Sequence, residues 1–249
     1  MYNLLIALAA AAAAFGLGAL AGQWVYGVVP ALLVFPVIYF VLARRTGKQL
    51  EAVMKEAMEA IQARRIDEGR AILESAMPLG RWQFLVTQQI YAQLGTLEYI
   101  QRNFAKARPL LEKTWSRNWQ SAGLLAALDM RDKKHDAAIE RMEKASTFGR
   151  REPLYWALLA FILIDARKAD QALLKLSEAQ EALPDSAAIK ELRSAVANDR
   201  LKRFRWAQVF GQGWYQFFPE HVPGATTARQ QAAKLGYQRG GKTWPGPRR

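Results

Sequence analysis

The sequence predicts an all-α protein in three parts: a hydrophobic helical hairpin, a stack of paired helices closed by a final helix, and a basic, aromatic tail. Three observations lead there. Residues 1–43 carry no charged side chain. Residues 48–204 space their apolar side chains at helical intervals, with no period-2 strand and no Asn-Gly or Asp-Gly hairpin turn. Residues 200–249 hold ten Lys or Arg and one acid, Glu220, so most of the net charge of +13 lies at this end.

The uncharged stretch comes first. As one helix it would be about 65 Å long at ~1.5 Å per residue, against a hydrocarbon core about 30 Å thick. Two transmembrane passes fit better than one: residues 3–21 (NLLIALAAAAAAFGLGALA) and 25–43 (VYGVVPALLVFPVIYFVLA), turning at Gly22-Gln23-Trp24. Trp24 and Tyr26 then fall at the membrane–water interface, where such rings are favoured. Ala19-Leu20-Ala21 resembles a signal-peptide cleavage site, but the preceding residues lack the Lys or Arg of a signal n-region. Charge begins abruptly with Arg44, Arg45 and Lys48. The positive-inside rule keeps this flank cytoplasmic, so a hairpin puts both termini on the cytoplasmic side of the inner membrane. No ionisable group lies within either span to carry ions or protons.

The paired helices follow. RIDEGRAILESAM, NFAKARPLLEKTW, KHDAAIERMEKAS and KADQALLKLSEAQ align. Each has a polar turn and then a small residue (Gly69, Ala107, Ala138, Ala172). Four positions on is a large apolar one (Leu73, Leu111, Met142, Leu176), and three further another small one (Ala76, Thr114, Ala145, Ala179). Positions i, i+4 and i+7 share one helix face, and the units recur with a period near 34. Each has an upstream partner helix, carrying Tyr91, Leu94, Gly95 and Glu98 in the second unit and Trp156, Leu159, Ala160 and Leu163 in the fourth. Gly95 reads as a position that lets its partner helix approach, with Ala107 as the small counterpart. Pro184 stops the fourth unit. Trp82, Trp115 and Trp119, near inter-helix loops, read as packing residues.

These residues resemble the tetratricopeptide repeat (TPR), a helix–turn–helix unit of about 34 residues, over roughly residues 50–184. The departures are Gly69 and Thr114 where alanine is usual, and Glu98 and Asp129 where an aromatic is usual. The resemblance implies a TPR-like α-solenoid. A closing helix begins at Asp185 or Ser186 and presents Ile189, Leu192, Val196 and Leu201 to cap the stack. The expected domains are residues 1–43, 48–204 and 205–249.

The resemblance also implies a protein-binding groove lined by the first helices of the units. Groove-facing candidates are Gln89, Gln93, Thr96 and Tyr99, then Gln120 and Leu124, then Leu158 and Phe161. The Lys and Asn residues with which some family members clamp a carboxylate are absent there. The groove is open to a partner segment or to the chain's own tail.

Three readings stay open for the tail, with Phe204, Trp206, Phe210, Trp214, Tyr215, Phe217 and Phe218 among its cations. Its aromatics could pack back on the last repeats. Its Arg203, Arg205, Trp206, Trp214 and Tyr215 could instead touch anionic lipid or a partner. Nucleic-acid binding is the least supported, since a basic patch alone is not specific. After Pro223 the composition is that of a disordered segment. Gly240-Gly241-Lys242-Thr243 is followed by Trp244-Pro245 and cannot open the helix a phosphate loop requires.

With no cysteine and two histidines, His135 and His221, neither a thiolate nor a His-based metal site is expected. No cofactor and no catalytic constellation is expected either. The function expected is a membrane-anchored adaptor recruiting a protein partner at the cytoplasmic face. The alternative is a structural subunit of a larger membrane complex, packed through the small residues of its hairpin.

Overall fold

In a computed structural model, residues 1–20 and 23–221 are described. The Gly22 turn, the end of the first span at Ala21 and everything after His221 lie outside them, including the stretch after Pro223 and residues 240–243. All regular elements among the described residues are helical. Contacts divide the chain into two compact units, residues 1–121 and residues from 122 onward.

The first unit contains α1 (Tyr2–Ala19), α2 (Val25–Gln62), α3 (Ile66–Ser75), α4 (Val86–Ile100) and α5 (Phe104–Leu111), with a 3-10 turn at Met77–Arg81. The α1–α2 hairpin is close-packed around Gly18 and Gly27. A Cβ at Gly18 would lie 2.4 Å from the Tyr26 carbonyl oxygen, and one at Gly27 would lie 2.3 Å from that of Phe15. Only glycine permits this backbone approach.

Helix α2 holds the second apolar stretch and the first repeat helix in one piece. The charge pattern changes at Arg44, but the helix continues through Thr46 and Gly47, and residues 48–62 that follow are mostly good helix formers. Leu50 and Ala57 near its end pack in a core with Leu73, Ile90 and Leu94. Gly69 is small because α2 is close: a Cβ there would meet Ile61 Cγ1 at 2.6 Å. At Gly95 a Cβ would meet Leu111 Cγ at 2.7 Å. Gly95 therefore does admit the second helix of its pair, against Leu111 rather than Ala107.

The second unit contains α6 (Trp119–Arg131, which begins just before the division), α7 (His135–Lys144), α8 (Ser146–Gly149), α9 (Pro153–Asp165), α10 (Ala169–Ala182), α11 (Ala187–Ala197) and α12 (Trp206–Val209). Three 3-10 turns, Leu201–Arg203, Gln212–Gln216 and Pro219–His221, complete it. Tyr155 on α9 is buried and donates its hydroxyl to the Met142 carbonyl on α7 at 3.0 Å. Burial raises the pKa of that hydroxyl above the usual tyrosine value. Ser186 caps α11, its Oγ accepting from the Ile189 amide at 3.4 Å. The small–large–small stripe is buried in the first, third and fourth pairs, and in the second except at Thr114, which is half-buried; Leu73, Leu111, Met142 and Leu176 are at most 2 % exposed.

One turn recurs. Arg64, Arg102, Lys133, Arg167 and Asp199 are left-handed, with φ of 50–64°. After each, Arg65, Asn103, Lys134, Lys168 and Arg200 donate their backbone N–H to the carbonyls of Ala60, Glu98, Asp129, Leu163 and Ala195 at 2.8–2.9 Å. This is the six-to-one bond of a Schellman motif, which ends the first helix of each pair. Its fifth occurrence identifies α11 as the first helix of an incomplete fifth pair. The aromatic segment follows where a second helix would stand. A non-glycine residue in this conformation costs roughly 1–2 kcal/mol. Arg167→Gly should therefore raise the melting temperature by roughly 3 °C; thermal denaturation in detergent is the check, and no rise would contradict a strained turn.

Candidate functional site

The two glutamate and aspartate departures from the repeat pattern are explained by ion pairs. Glu98 is 4 % exposed. Its Oε1 lies 2.6 Å from Arg70 Nη2, and its Oε2 accepts from Asn103 Nδ2 at 2.9 Å. Asp129 is 2 % exposed and accepts from Arg141 Nε at 3.0 Å. A carboxylate replaces the aromatic at the end of these first helices, and an arginine from a second helix neutralises it, so neither is a catalytic acid in a cleft.

The groove residues fall into three groups. Gln89 and Gln93 on α4 are exposed and Thr96 is half-buried, and Gln120 at the start of α6 is exposed. Tyr99 is fully buried, edge-on to Phe104 with ring centroids 5.2 Å apart, and so is not a groove residue. The exposed face of α4 continues instead through Ile100, 54 % exposed, which lies about 100° further round the helix. Leu124 and Leu158 are also buried, and Phe161 is half-buried.

Phe161 shows what fills the second unit's groove. Its ring meets Trp206, Trp214 and Phe218 at centroid distances of 5.0, 5.3 and 4.9 Å, each at a steep angle. Trp206 and Trp214 stack on one another at 4.7 Å and 17°. Phe217 is fully buried and reaches the opposite wall: a Cβ at Gly123 on α6 would lie 2.7 Å from its Cε1 and 2.9 Å from Leu158 Cδ2. Gly213 lies against Leu154 in the same way, at 3.0 Å. At the end of the segment Arg131 Nη2 lies 2.6 Å from both carboxylate oxygens of Glu220. The one acid of the basic tail thus ties it to α6.

Of the three readings of the tail, packing on the repeats describes residues 204–220. Trp214, expected at a membrane or partner surface, is 1 % exposed and cannot touch either there. Trp206 and Tyr215 are half-buried, and Arg203 and Arg205 remain exposed. With Arg200, those two arginines line a cleft of about 410 Å³ that also holds Ser194, Gln208 and one acid, Glu191. Of the inter-helix tryptophans, Trp119 is buried, Trp115 is half-buried and Trp82 is 42 % exposed.

The Schellman turns were not anticipated from sequence, though a signal for them exists. Four of the five left-handed positions are Arg or Lys, each two residues before the start of the next element. A cation there faces the negative end of the helix dipole.

No protein-family model matches the sequence, and no curated protein does. Among solved structures the chain resembles the one described as the functional characterization of Pseudomonas aeruginosa PilF, with a TM-score of 0.51 and 14 % identity. The likeness covers 78 % of this chain and 87 % of that one. It supports a TPR-like all-helical fold and, at that identity, nothing further.

Proposed function

We propose that the protein is a membrane-anchored TPR-like adaptor that holds a protein partner at the cytoplasmic face of the cell membrane. The observation that carries this reading is the bare apolar hairpin. Both α1 and α2 are long and apolar enough to cross a bilayer, and Leu5, Leu17, Leu32, Leu33 and Phe40 are 60–73 % exposed. Soluble proteins rarely leave so much contiguous apolar surface in water. Arg44, Arg45 and Lys48 follow, which supports a cytoplasmic placement of the repeats.

The partner surface in this reading is the outer face of α4, where Gln89, Gln93, Thr96 and Ile100 lie at i, i+4, i+7 and i+11, all exposed but the half-buried Thr96. The groove of the second unit already holds the chain's own segment. A mixed polar and apolar stripe suits an amphipathic helix or an extended segment. The small-residue side of α1 favours the alternative of a complex subunit, since a Cβ at Gly16 would meet nothing within 4 Å.

The chain has no cysteine, so single cysteines report topology cleanly. Gln23→Cys should react with a membrane-impermeant maleimide from outside the cell membrane, and Lys48→Cys only after lysis. The reverse pattern contradicts the orientation, and extraction by carbonate contradicts membrane spanning. A partner that co-purifies substoichiometrically in mild detergent should be lost with Gln93→Arg/Ile100→Arg. A stoichiometric complex that is indifferent to that pair would favour the subunit reading.

A further inference from the structure

The start of α1 is built into the first unit at the level where charge begins. Asn3 is 1 % exposed, and its Nδ2 donates to Thr46 Oγ1 on α2 at 3.0 Å. Its backbone N–H donates to the Trp82 carbonyl at 3.2 Å. The Thr46 hydroxyl donates to the Leu42 carbonyl at 3.1 Å. Tyr2 stands edge-on to Trp82 with centroids 5.3 Å apart. Two buried polar side chains and two aromatic rings therefore fix three elements around one cleft of about 320 Å³.

The cleft has two kinds of wall. Asn3, Arg45, Thr46 and Gln49 form the polar side, and Leu42, Leu79 and Trp82 the apolar side. Arg45 and Gln49 are one helical turn apart and face the same way. No carboxylate lines the cleft, and Arg45 has no ion pair among the described residues. N-terminal to Arg44, α2 is uncharged, and Val29, Leu32, Leu33, Val37 and Phe40 are exposed along it.

We propose that this cleft binds one anionic phospholipid. Its phosphate would sit against the Arg45 guanidinium, whose paired N–H groups match phosphate oxygens. Gln49 would supply a further donor. An acyl chain would run past Leu42 along the bare hairpin. The chemistry selects a lipid over a free anion: a single cation beside an apolar wall suits an amphiphile. The position suits it too, because basic groups at the start of the cytoplasmic flank attract anionic headgroups. The proposal rests on the reading that α1 and α2 span the membrane.

Native mass spectrometry of the full chain in mild detergent tests it, with phosphatidylglycerol and phosphatidylcholine of identical acyl chains. One phosphatidylglycerol should be retained over phosphatidylcholine by about fivefold, the worth of one cation near an anionic surface. Arg45→Gln should abolish the preference and Arg44→Gln leave it, with unchanged thermal melts for both. Equal retention of the two lipids, or equal loss in the two variants, overturns the proposal. Displacement by millimolar inorganic phosphate also overturns it, by showing a soluble-anion site. A chain that stays monodisperse without detergent removes the membrane reading itself; one that needs detergent but shows no headgroup preference removes only the cleft.

Discussion

Glu98→Ala is expected to lower the melting temperature by roughly 8 °C, corresponding to about 3 kcal/mol. The carboxylate is nearly fully buried, and Arg70 is three-quarters buried beside it. Removing one member leaves the Arg70 cation with Asp67, which is solvent-exposed and 3.6 Å away. Arg70 Nε is also buried and has no partner. Replacing both members at once, as Arg70→Met/Glu98→Leu, should recover most of the loss, because a well-packed apolar pair often equals a buried ion pair. Melts by circular dichroism in detergent read all three proteins. If Glu98→Ala melts within about 2 °C of the parent, the pair is not what stabilises this position.

The second large effect is expected at Trp214. This side chain is buried between Phe161, Trp206 and Phe218, and truncating such a ring costs about 3–5 kcal/mol. Trp214→Ala should undock residues 204–220 from α6 and α9 while the helix pairs stay folded. Limited trypsin digestion reads this directly, since Lys202 and Arg203 precede the segment and Arg205 lies at its start. Cleavage there should accelerate by about a hundredfold, the factor that corresponds to roughly 3 kcal/mol of docking. Gly123→Leu should do the same from the opposite wall, because its side chain would occupy the space of the Phe217 ring. Unchanged protection in both variants would mean the segment is held by other contacts, Arg131–Glu220 foremost among them.

The repeat was legible in the sequence because burial imposes a period on it. Gly69, Ala107, Ala138 and Ala172 sit where helices touch, and a touching helix permits only small side chains. The capping helix was legible for a similar reason, through Ser186 and the stripe of Ile189 and Leu192. Other features left weaker traces. The five left-handed turns use Arg, Lys and Asp where Gly is the usual sign, so the strongest marker of a Schellman end was missing. Tyr99 is a groove position only if the helix phase is taken one residue early; Ile100 holds the outward place. Leu124 and Leu158 are buried, and Gly123 next to Leu124 faces Phe217 of the chain's own tail. The destination of that tail is a matter of which surface its rings fit. Trp206, Trp214, Phe217 and Phe218 follow no helical or strand period that would show a face in advance.

The unbroken α2 has a mechanical consequence. Anchored domains are commonly joined to their spans by slack chain, and then their height and heading vary freely. Here one helix of about 57 Å holds both the proposed span and the first repeat helix. If the proposed span places about 30 Å of it in hydrocarbon, the remainder would stand out of the bilayer as a stiff lever. The helix pairs of residues 1–121 are bolted to that lever by Leu50 and Ala57. C-terminal to Pro36 the helix has no further proline, so a twist or tilt of that part would be passed to α4 and its outer face. One residue inserted after Lys48 would turn that face by about 100° and lift it by about 1.5 Å. A cargo held there would be carried at a set azimuth above the lipid, as on a crane rather than a leash.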